Sequence, residues 1–558
     1  MKHSNSSEVE PLKIGIMLDS PQIPFWMYET IRKINAIASV KIVALIYKKP
    51  NKNKTSYFQK ILKILPHFVF VFYLKFEKLL FNTKVNAFSI LSIEDLNLNA
   101  TSLFIECIEK KFSDFFTEKS VRELKAIEPD LLIRFGFRIL RGEVLILPKY
   151  GIWSLHHGDN RINRGGPACF WEVFERWGEV GATLQVLSEN LDGGKVISRC
   201  ITEVDRSIIR TRNNLYLKSI NLIPNAISSL IKLKDMDLIL MKSENLDYYY
   251  TKLYKWPSNT QTCKLLFVHY ILWTKEKIKY FFKEDQWRLS YSLSDGQLNG
   301  SMYNFKIIDP GKGKFFADPF ILYRNNKYYV FYEELVTRAK NGRGIIVVSE
   351  FDQKMELINS AVVLKKNYHL SYPYVFEDKE QLYMIPESGE NRTVDLYKAN
   401  ESVYQWDFVC TLLKDVAAFD SSVVYYDGLF WLFTTIAEYP GTSTCDELYL
   451  FYSTSLENGI WNSHPLNPIV RDIKRARSAG KIFLNNGGLI RPSQDCSFRY
   501  GRAINFNLII KLSIHEFEEI PITCIKPEWN KNLNACHTYN HVDNMTFIDV
   551  SYTKWKNL

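Results

Sequence analysis

The chain has 558 residues, of which 46% are hydrophobic, 24% charged and 14% aromatic, and its formal net charge is +10. This length exceeds what one hydrophobic core serves and predicts about two to four domains. The positive charge is modest and diffuse, which favours weak attraction to anionic small molecules or lipids and excludes nucleic acid as the expected partner. The nine cysteines lack paired ligand spacing, so neither a metal site nor a disulfide framework is predicted.

The compartment can be predicted from what the sequence lacks. Residues 1–13 have no apolar core of the kind a signal peptide needs, and the chain has no uncharged apolar run of about 18 residues. We therefore expect a cytoplasmic protein. Two apolar, lysine-containing segments, 58–81 and 263–282, are expected to be helical. Their pattern favours packing within the protein over contact with the inner face of a membrane, and leaves both open.

Strand and helix patterns alternate through residues 1–232 and predict a Rossmann-like α/β domain with a parallel sheet. Residues 233–300 are expected to form a helical connector. The predicted strands span 13–19, 41–47, 131–134, 152–156, 182–187 and 195–202, and the predicted helices span 24–36, 113–127, 170–177 and 213–232.

The stretch from 152 to 195 carries the candidate chemistry of this domain. Its first strand ends at His156, a turn of sequence Arg164-Gly165-Gly166-Pro167 follows, and a later loop contains Asp192. A helix and a second strand separate the two polar positions. This strand-helix-strand order is expected to bring His156 and Asp192 to opposite sides of one cleft.

The same residues resemble the N-terminal domain of the folate-dependent formyltransferases, which include methionyl-tRNA, glycinamide ribonucleotide and sugar-amine formyltransferases. In that family a strand carries Asn-x-His, a Gly/Pro loop follows, and an Asp arrives in a Leu-Asp-x-Gly turn. His156 and Asp192 match this pattern, whereas Ser154 occupies the position of the Asn. Residues 128–140 and 147–151 resemble the folate-side strand and loop of the family.

The resemblance implies 10-formyltetrahydrofolate as formyl donor and an amine as acceptor. Protonated His156 would hydrogen-bond the oxyanion of formyl transfer, Asp192 would favour that protonated form, and Ser154 would reach the oxyanion through water. His157 or Asp159 is expected to hold the amine or a phosphate of the acceptor. The implied binding positions are Phe135, Gly136, His157, Asp159, Arg164, Gly165 and Gly166.

From residue 301 to 558 a different pattern recurs five times, in which two short apolar strands flank a turn. The turns lie at 325–326, 378–379, 427–428, 487–488 and 543–544. Five such units predict an all-β, five-bladed propeller. The Ala-Asp-Pro string at 317–319 is similar to arabinanase-type glycoside hydrolases. Strings such as His369-Leu-Ser-Tyr-Pro373 and Arg491-Pro-Ser-Gln-Asp495 resemble more closely the N-terminal region of plant glucosamine inositolphosphorylceramide transferase.

Acidic residues that open the predicted propeller strands are the candidate carbohydrate site of this region. They are expected to point towards the propeller axis, and the candidates are Asp318, Glu387, Asp420 and Asp495, with His537 beside them. The second unit offers Ser371-Tyr372 where the hydrolase pattern expects an acid. Glycan binding is therefore favoured over hydrolysis, which needs an acid and a base flanking the scissile bond.

Taken together, the patterns predict formyl transfer from 10-formyltetrahydrofolate to an amino sugar, nucleotide-linked or on a glycolipid, in surface-glycan biosynthesis. The propeller would hold the glycan. Two alternatives stay open at this point. One is a propeller glycoside hydrolase or transglycosylase with a noncatalytic N-terminal domain, and the other is a noncatalytic glycan-binding scaffold.

Overall fold

The computed structural model describes residues 10–49, 57–81, 83–189, 194–240, 252–293, 298, 302–336 and 342–556. The chain divides into two compact units, Met1–Val268 and His269–Leu558. The first is α/β and the second is almost entirely β.

A seven-stranded, mostly parallel sheet forms the centre of the first unit. Its order is β13-β12-β10-β8-β1-β3-β5, in which β12 is antiparallel to both of its neighbours, β10 and β13, and the other pairs are parallel. Short antiparallel and parallel pairs flank it. In chain order the strands are β1 (Leu12–Leu18), β2 (Gln22–Pro24), β3 (Val40–Lys48), β4 (Ile90–Ser92), β5 (Thr101–Ile105), β6 (Cys107–Glu109), β7 (Ser113–Phe116), β8 (Leu131–Arg134), β9 (Ile139–Arg141), β10 (Ile152–His156), β11 (Arg164–Gly165), β12 (Val180–Val186), β13 (Lys195–Thr202) and β14 (Leu253–Tyr254).

The predicted α/β order is confirmed, and the sheet is buried on both faces. Its central strands are apolar runs, as parallel strands covered by helices must be, and Ile14, Ile16 and Ile133 are fully buried. The helices are α1 (Phe25–Asn35), α2 (Tyr57–Ile64), α3 (Phe68–Leu80), α4 (Glu118–Lys125), α5 (Phe170–Phe174), α6 (Ile208–Ser219), α7 (Leu222–Leu233), α8 (Met236–Ile239) and α9 (Asn259–Phe282).

Two helix predictions were wrong in extent. The helix expected over 113–127 begins only at Glu118, because Asp114 is buried in β7 where Lys48 and Arg138 pair with it, and Thr117 then caps α4. The helix expected over 213–232 is two helices. The second begins at Leu222 and tolerates Pro224 in its first turn, where no helical N–H bond is lost.

Five antiparallel sheets make up the described part of the second unit, and all five predicted hairpins are confirmed. One sheet is made of β15 (Lys283–Leu293), β16 (Lys306–Ile308), β33 (Leu533–Ala535), β34 (Tyr539–Val542) and β35 (Met545–Trp555). The other four follow along the chain as β17 (Lys314–Arg324), β18 (Lys327–Val336), β19 (Ile345–Phe351) and β20 (Leu357–Leu364); β21 (Ser371–Asp378), β22 (Gln381–Ser388), β23 (Thr393–Ala399) and β24 (Trp406–Lys414); β25 (Ala418–Tyr426), β26 (Leu429–Ile436), β27 (Leu448–Ser453) and β28 (Asn462–Ser463); and β29 (Phe483–Asn485), β30 (Gly488–Asp495), β31 (Ala503–Leu512) and β32 (Phe517–Ile525).

Strand β15 lies in the stretch that the sequence assigned to a connector. It pairs with β35 along its whole length, from Lys283 opposite Trp555 to Leu293 opposite Met545. The sequence pattern did not predict this strand because its first residues are charged and only Trp287, Leu289 and Tyr291 alternate as a strand requires. The helix α9 also leads directly into it. In the part of the chain that the structure describes, none of the helices combines the length and the hydropathy that a membrane span needs.

Candidate functional sites

The candidate site of the first unit is a pocket at the ends of β8, β10 and β12. Arg134 on β8 lies opposite Ser154 on β10, and Ser154 lies opposite Gln185 on β12. Residues opposite one another in neighbouring strands project on the same face, and His156, two positions beyond Ser154, shares it. The pocket has a volume of about 180 Å³. Its other lining residues are Ile139, Leu140, Arg141, Leu155, Leu187, Ser188 and Gly194.

Arg134 is largely buried and is held by neutral groups. Its Nη1 donates to Ser154 Oγ at 2.9 Å, and its Nη2 donates to the backbone carbonyls of Phe137 at 2.9 Å and Arg138 at 3.0 Å. Its Nε is buried without a hydrogen-bond partner. Burial lowers the pKa of the guanidinium, and Asp19 acts in the opposite direction. Arginine nevertheless stays protonated, so the pocket carries a fixed positive charge.

Ser154 and His156 both line this pocket, whereas the predicted partner Asp192 lies outside the described residues. A Cβ placed on Gly158 would lie 2.7 Å from His156 Nε2, so the imidazole rests against the backbone at this glycine. A side chain at 158 would displace the ring. Gly158 therefore leaves the space that the His156 ring occupies.

The structure places His157 and Asp159 in contacts of their own. The His157 ring stacks on Tyr216 with ring centres 3.6 Å apart, and its Nε2 lies 3.3 Å from Ser219 Oγ. Burial lowers the pKa of His157 to about 3, so its ring is neutral at pH 7. Asp159 is 4% exposed and accepts two hydrogen bonds from Arg161 side-chain nitrogens at 2.7 and 2.9 Å.

Three further predicted binding positions make packing contacts. Phe135 packs edge-on against Trp26. A Cβ on Gly136 would lie 2.5 Å from the backbone nitrogen of Asp19, and one on Gly165 would lie 2.1 Å from the carbonyl oxygen of Tyr254. Both glycines allow close approach of two backbones.

Gly166 precedes Pro167 through a cis peptide bond, and only the backbone of Arg164, in β11, is described. Sequence reasoning missed Arg134 and Gln185. The register of the three strands would have identified both as neighbours of Ser154.

A repeated β-bulge organises the candidate site of the second unit. Asp318, Tyr372 and Asp420 each sit in a register shift of the first strand of their sheet, and each has a positive φ, of 57°, 42° and 47°. A non-glycine residue in this conformation is uncommon and is held by its surroundings. The bulges turn these side chains inward, where all three are buried.

Arg477 holds two of the predicted carboxylates together. Its Nε donates to Asp420 Oδ2 at 2.5 Å, and its Nη2 donates to Glu387 Oε2 at 3.1 Å. Gln494 Nε2 also donates to Asp420 at 2.7 Å. Burial and the neighbouring Asp420 raise the pKa of Glu387 well above its usual value. Arg477 therefore contacts both members of this carboxylate pair.

Asp318, His537 and Asp549 form a second buried group. His537 Nδ1 lies 2.6 Å from Asp549 and its Nε2 lies 3.5 Å from Asp318. Despite the opposing effect of burial, the two carboxylates raise the pKa of His537 to about 9, so the imidazole is charged at pH 7. The three side chains are close enough to hold a metal ion. With its imidazole charged, His537 pairs with both carboxylates as an ion triad.

Asp318 and Asp549 also bond the backbone, which gives them a structural role. Asp318 accepts from the Tyr372 N–H at 3.1 Å and from Thr538 Oγ1 at 2.8 Å, and Asp549 accepts from the Asp318 N–H at 2.9 Å. Sequence reasoning missed Asp549 and Arg477. Neither residue opens a strand of a predicted hairpin. Each reaches the predicted acidic residues only through contacts between segments that are distant in sequence.

Asp495 makes its contacts outside these two groups. It accepts from Ser497 and lies 3.6 Å from Arg502, whereas its neighbour Gln494 bonds Asp420. Adjacent residues of a strand face opposite sides, so 494 points inward and 495 outward. His369, the other histidine noted in the sequence, accepts from the Gly344 N–H and lies 3.3 Å from Glu333.

Known proteins resemble separate parts of this chain. Residues 307–556 match the family described as glucosamine inositolphosphorylceramide transferase 1, N-terminal. A protein of that name from Oryza sativa subsp. japonica is 36% identical over 233 residues, which are 41% of this chain and 31% of the relative. A methionyl-tRNA formyltransferase from Bacillus velezensis is 28% identical over 122 residues, which are 21% of this chain and 38% of the relative.

Among solved structures, Zg3597, a family 117 glycoside hydrolase from Zobellia galactanivorans, matches with a TM-score of 0.32 and 12% identity. The match covers 48% of this chain and 90% of that chain. The chain spans about a third of the length of the curated relatives named above.

Proposed function

We propose that the first unit transfers a formyl group from 10-formyltetrahydrofolate to the amino group of a sugar, carried by a nucleotide or a glycolipid, during glycan biosynthesis. The observation that carries this proposal is the pocket in which Arg134, Ser154 and His156 line the carboxyl ends of adjacent parallel strands. Open α/β sheets bind their ligands at this edge. The similarity to a methionyl-tRNA formyltransferase supports the same reaction class.

The pocket residues fit the reacting end of such a donor. Ile139, Leu140 and Leu187 offer apolar walls for a flat ring, and the polar row beside them includes a buried donor, Arg134 Nε, that has no partner. The volume of about 180 Å³ is below the ~300–1,000 Å³ of typical ligand pockets. The site therefore suits one end of the donor and leaves the remainder to the surface.

In this reaction the sugar nitrogen forms a bond to the formyl carbon, and the bond from that carbon to N10 of the folate breaks. The amine proton leaves for N10, directly or through water. His156 is assigned the hydrogen bond to the carbonyl oxygen as negative charge develops on it. Such a donor contributes most in the transition state, where the charge is greatest.

The five sheets of the second unit are proposed to be blades of one propeller that recognises the glycan. Their bulged strands support a common centre, because Tyr372 bonds Asp318 through its N–H and Gly480 through its hydroxyl, and His537 contacts Asp318. The similarity of residues 307–556 to the glucosamine inositolphosphorylceramide transferase family favours an amino-sugar-bearing glycolipid as the ligand. The engagement of Glu387 and Asp420 by Arg477 favours binding over hydrolysis.

The proposed location is cytoplasmic, with helices α2 and α3 resting on an anionic membrane surface. Phe72 is 61% exposed and Leu79 is 86% exposed on α3. Lys75 and Lys78 are exposed on the same helix. Its one carboxylate, Glu77, is buried and accepts from the backbone N–H groups of Ile208 and Ile209. This combination of apolar and basic side chains is typical of interfacial helices.

The test is incubation of the full chain with formyl-labelled folate and a panel of amino-sugar nucleotides and amino-sugar lipids. We expect labelled N-formyl sugar with the wild type, and a loss of at least ~100-fold with His156→Ala, because an oxyanion donor is removed. Asp495→Ala is the matched control, since its contacts lie in the second unit, and we expect it to retain full turnover.

The same incubations separate the alternatives. Release of sugar from a glycan, abolished by Asp318→Ala, would instead identify a hydrolase. Binding of glycan without turnover of either kind would identify a noncatalytic scaffold, and both results would contradict formyl transfer.

A further inference from the structure

Ser154 lies where a strong hydrogen-bond donor to the substrate oxygen is expected. A serine there is too short to extend as far into a pocket as an asparagine amide, and on its own it is a neutral donor. The neighbouring strand, however, places an arginine directly opposite it. The hydrogen-bonded pair of Arg134 and Ser154 thus lies in the pocket without a role in the reaction described so far.

The pair has the bonding pattern of a charge-assisted donor. Arg134 Nη1 donates to Ser154 Oγ at 2.9 Å, so the serine oxygen accepts a bond from a cation. The serine hydroxyl hydrogen is then available for a further bond, and hydrogen bonds in such a chain strengthen one another. Ser154 is 3% exposed and lines the pocket.

The positive charge itself lacks an anionic partner within the described residues. No carboxylate oxygen described lies within 4.0 Å of the Arg134 nitrogens, whose acceptors are Ser154 and two backbone carbonyls. The carboxylate of Asp19 accepts instead from the Phe137 N–H at 2.7 Å. Asp19 and Asp114 act on the guanidinium only from beyond ion-pair distance. A bound group that becomes anionic would add a direct partner and offset more of the cost of burial.

We propose that Ser154 and Arg134 form an anion site beside His156, in which the serine hydroxyl donates to the substrate oxygen that becomes negative and Arg134 strengthens that donation. Ser154 touches the reacting oxygen and is the catalytic residue, and Arg134 acts through it as a positioning residue. The ligand class is a formyl or carboxylate oxygen. This inference rests on the proposed formyl transfer for its substrate, and the anion site itself can be tested without turnover.

Turnover is the first measurement. We expect Arg134→Met to lower kcat by roughly 10²- to 10³-fold with little change in the KM for the amine, because the lost interaction forms in the transition state. Adding Ser154→Asn to Arg134→Met should recover at least tenfold, since an amide donates without help from a cation. A purely structural role for Arg134 predicts no such rescue.

The second measurement is formate binding. It is monitored through the line width of ¹³C-formate in NMR spectra recorded with the full chain. We expect broadening with the wild type, a decrease of at least tenfold in affinity with Arg134→Met and Ser154→Ala, and no change with Arg122→Met on the exposed face of α4. Circular dichroism checks that each variant is folded.

The outcomes distinguish the two proposals. Formate binding that depends on Arg134, without formyl transfer by the wild type, would keep the anion site and contradict the proposed reaction. Formyl transfer and formate binding that are both unchanged in folded Arg134→Met would overturn the anion site and leave the reaction standing. If the wild type neither binds formate nor transfers formyl, both proposals are wrong.

Discussion

At the scale of single residues, the second unit depends on a cation buried among acids. Arg477 is 6% exposed and bonds Asp420 and Glu387, both themselves buried. Breaking a buried pair leaves charges without compensation, so we expect Arg477→Leu to lower the free energy of unfolding by about 3–5 kcal/mol. Chemical denaturation at pH 7 measures this.

The matched control is Arg343→Leu, since Arg343 pairs with Glu390 on the surface at 3.2 Å. An exposed pair contributes about 0–1 kcal/mol, so this variant should differ little from the wild type. Equal losses in the two variants would show that the buried contacts of Arg477 do not stabilise the unit.

The same residues show what sequence reasoning can reach. His156 was predicted because it ends a strand, and Asp318 and Asp420 because each lies in the first strand of a predicted hairpin, positions that local pattern reveals. Arg134 and Arg477 were not, because their importance comes from partners across a sheet or between sheets. Asp495 was predicted to point inward, and the alternation of the strand shows that Gln494 does so instead.

At the scale of elements, the apolar face of α3 gives a prediction about membranes. We expect the full chain to co-sediment with vesicles containing phosphatidylglycerol and only weakly with pure phosphatidylcholine, because exposed lysines accompany the apolar side chains. Phe72→Glu combined with Leu79→Glu should abolish co-sedimentation.

Phe498→Glu is the control, since Phe498 is 68% exposed in the second unit. Equal pelleting of wild type and double variant would refute membrane contact. A change in oligomeric state by size exclusion would show that a second copy of the chain covers this face.

Element prediction succeeded where one periodicity dominated and failed where two elements adjoin. The strands β1, β3 and β8 and the helices α1 and α3 were predicted because their apolar residues recur at one spacing. The strand β15 was not, since the helix α9 runs into it without a turn. The break between α6 and α7 was missed because both are apolar on one side.

At the scale of the molecule, the strand β15 defines where the second unit begins. Leu289 on β15 is 1% exposed, and the Tyr291 ring stacks on Phe547 of β35 with centres 5.7 Å apart. We expect a fragment spanning 283–556 to unfold cooperatively on heating. A fragment spanning 302–556 should lose cooperative unfolding, because β35 is left with an unpaired edge.

Adding a synthetic peptide of residues 283–293 to the shorter fragment should restore part of its thermal transition. Identical melting of the two fragments would show that β15 is dispensable, and would place the start of the unit near the boundary expected from the sequence.

The pairing of β15 with β35 also sets an order of events during synthesis. The first strand leaves the ribosome long before its partner, since every other sheet of the unit is translated between them. Until β35 is translated, the edge of β15 that it covers has no native neighbour and is open to pairing with another nascent chain. Asp549, which lies on β35, reaches Asp318 and His537 only when β35 pairs, so the ion triad assembles after the other four sheets have been translated.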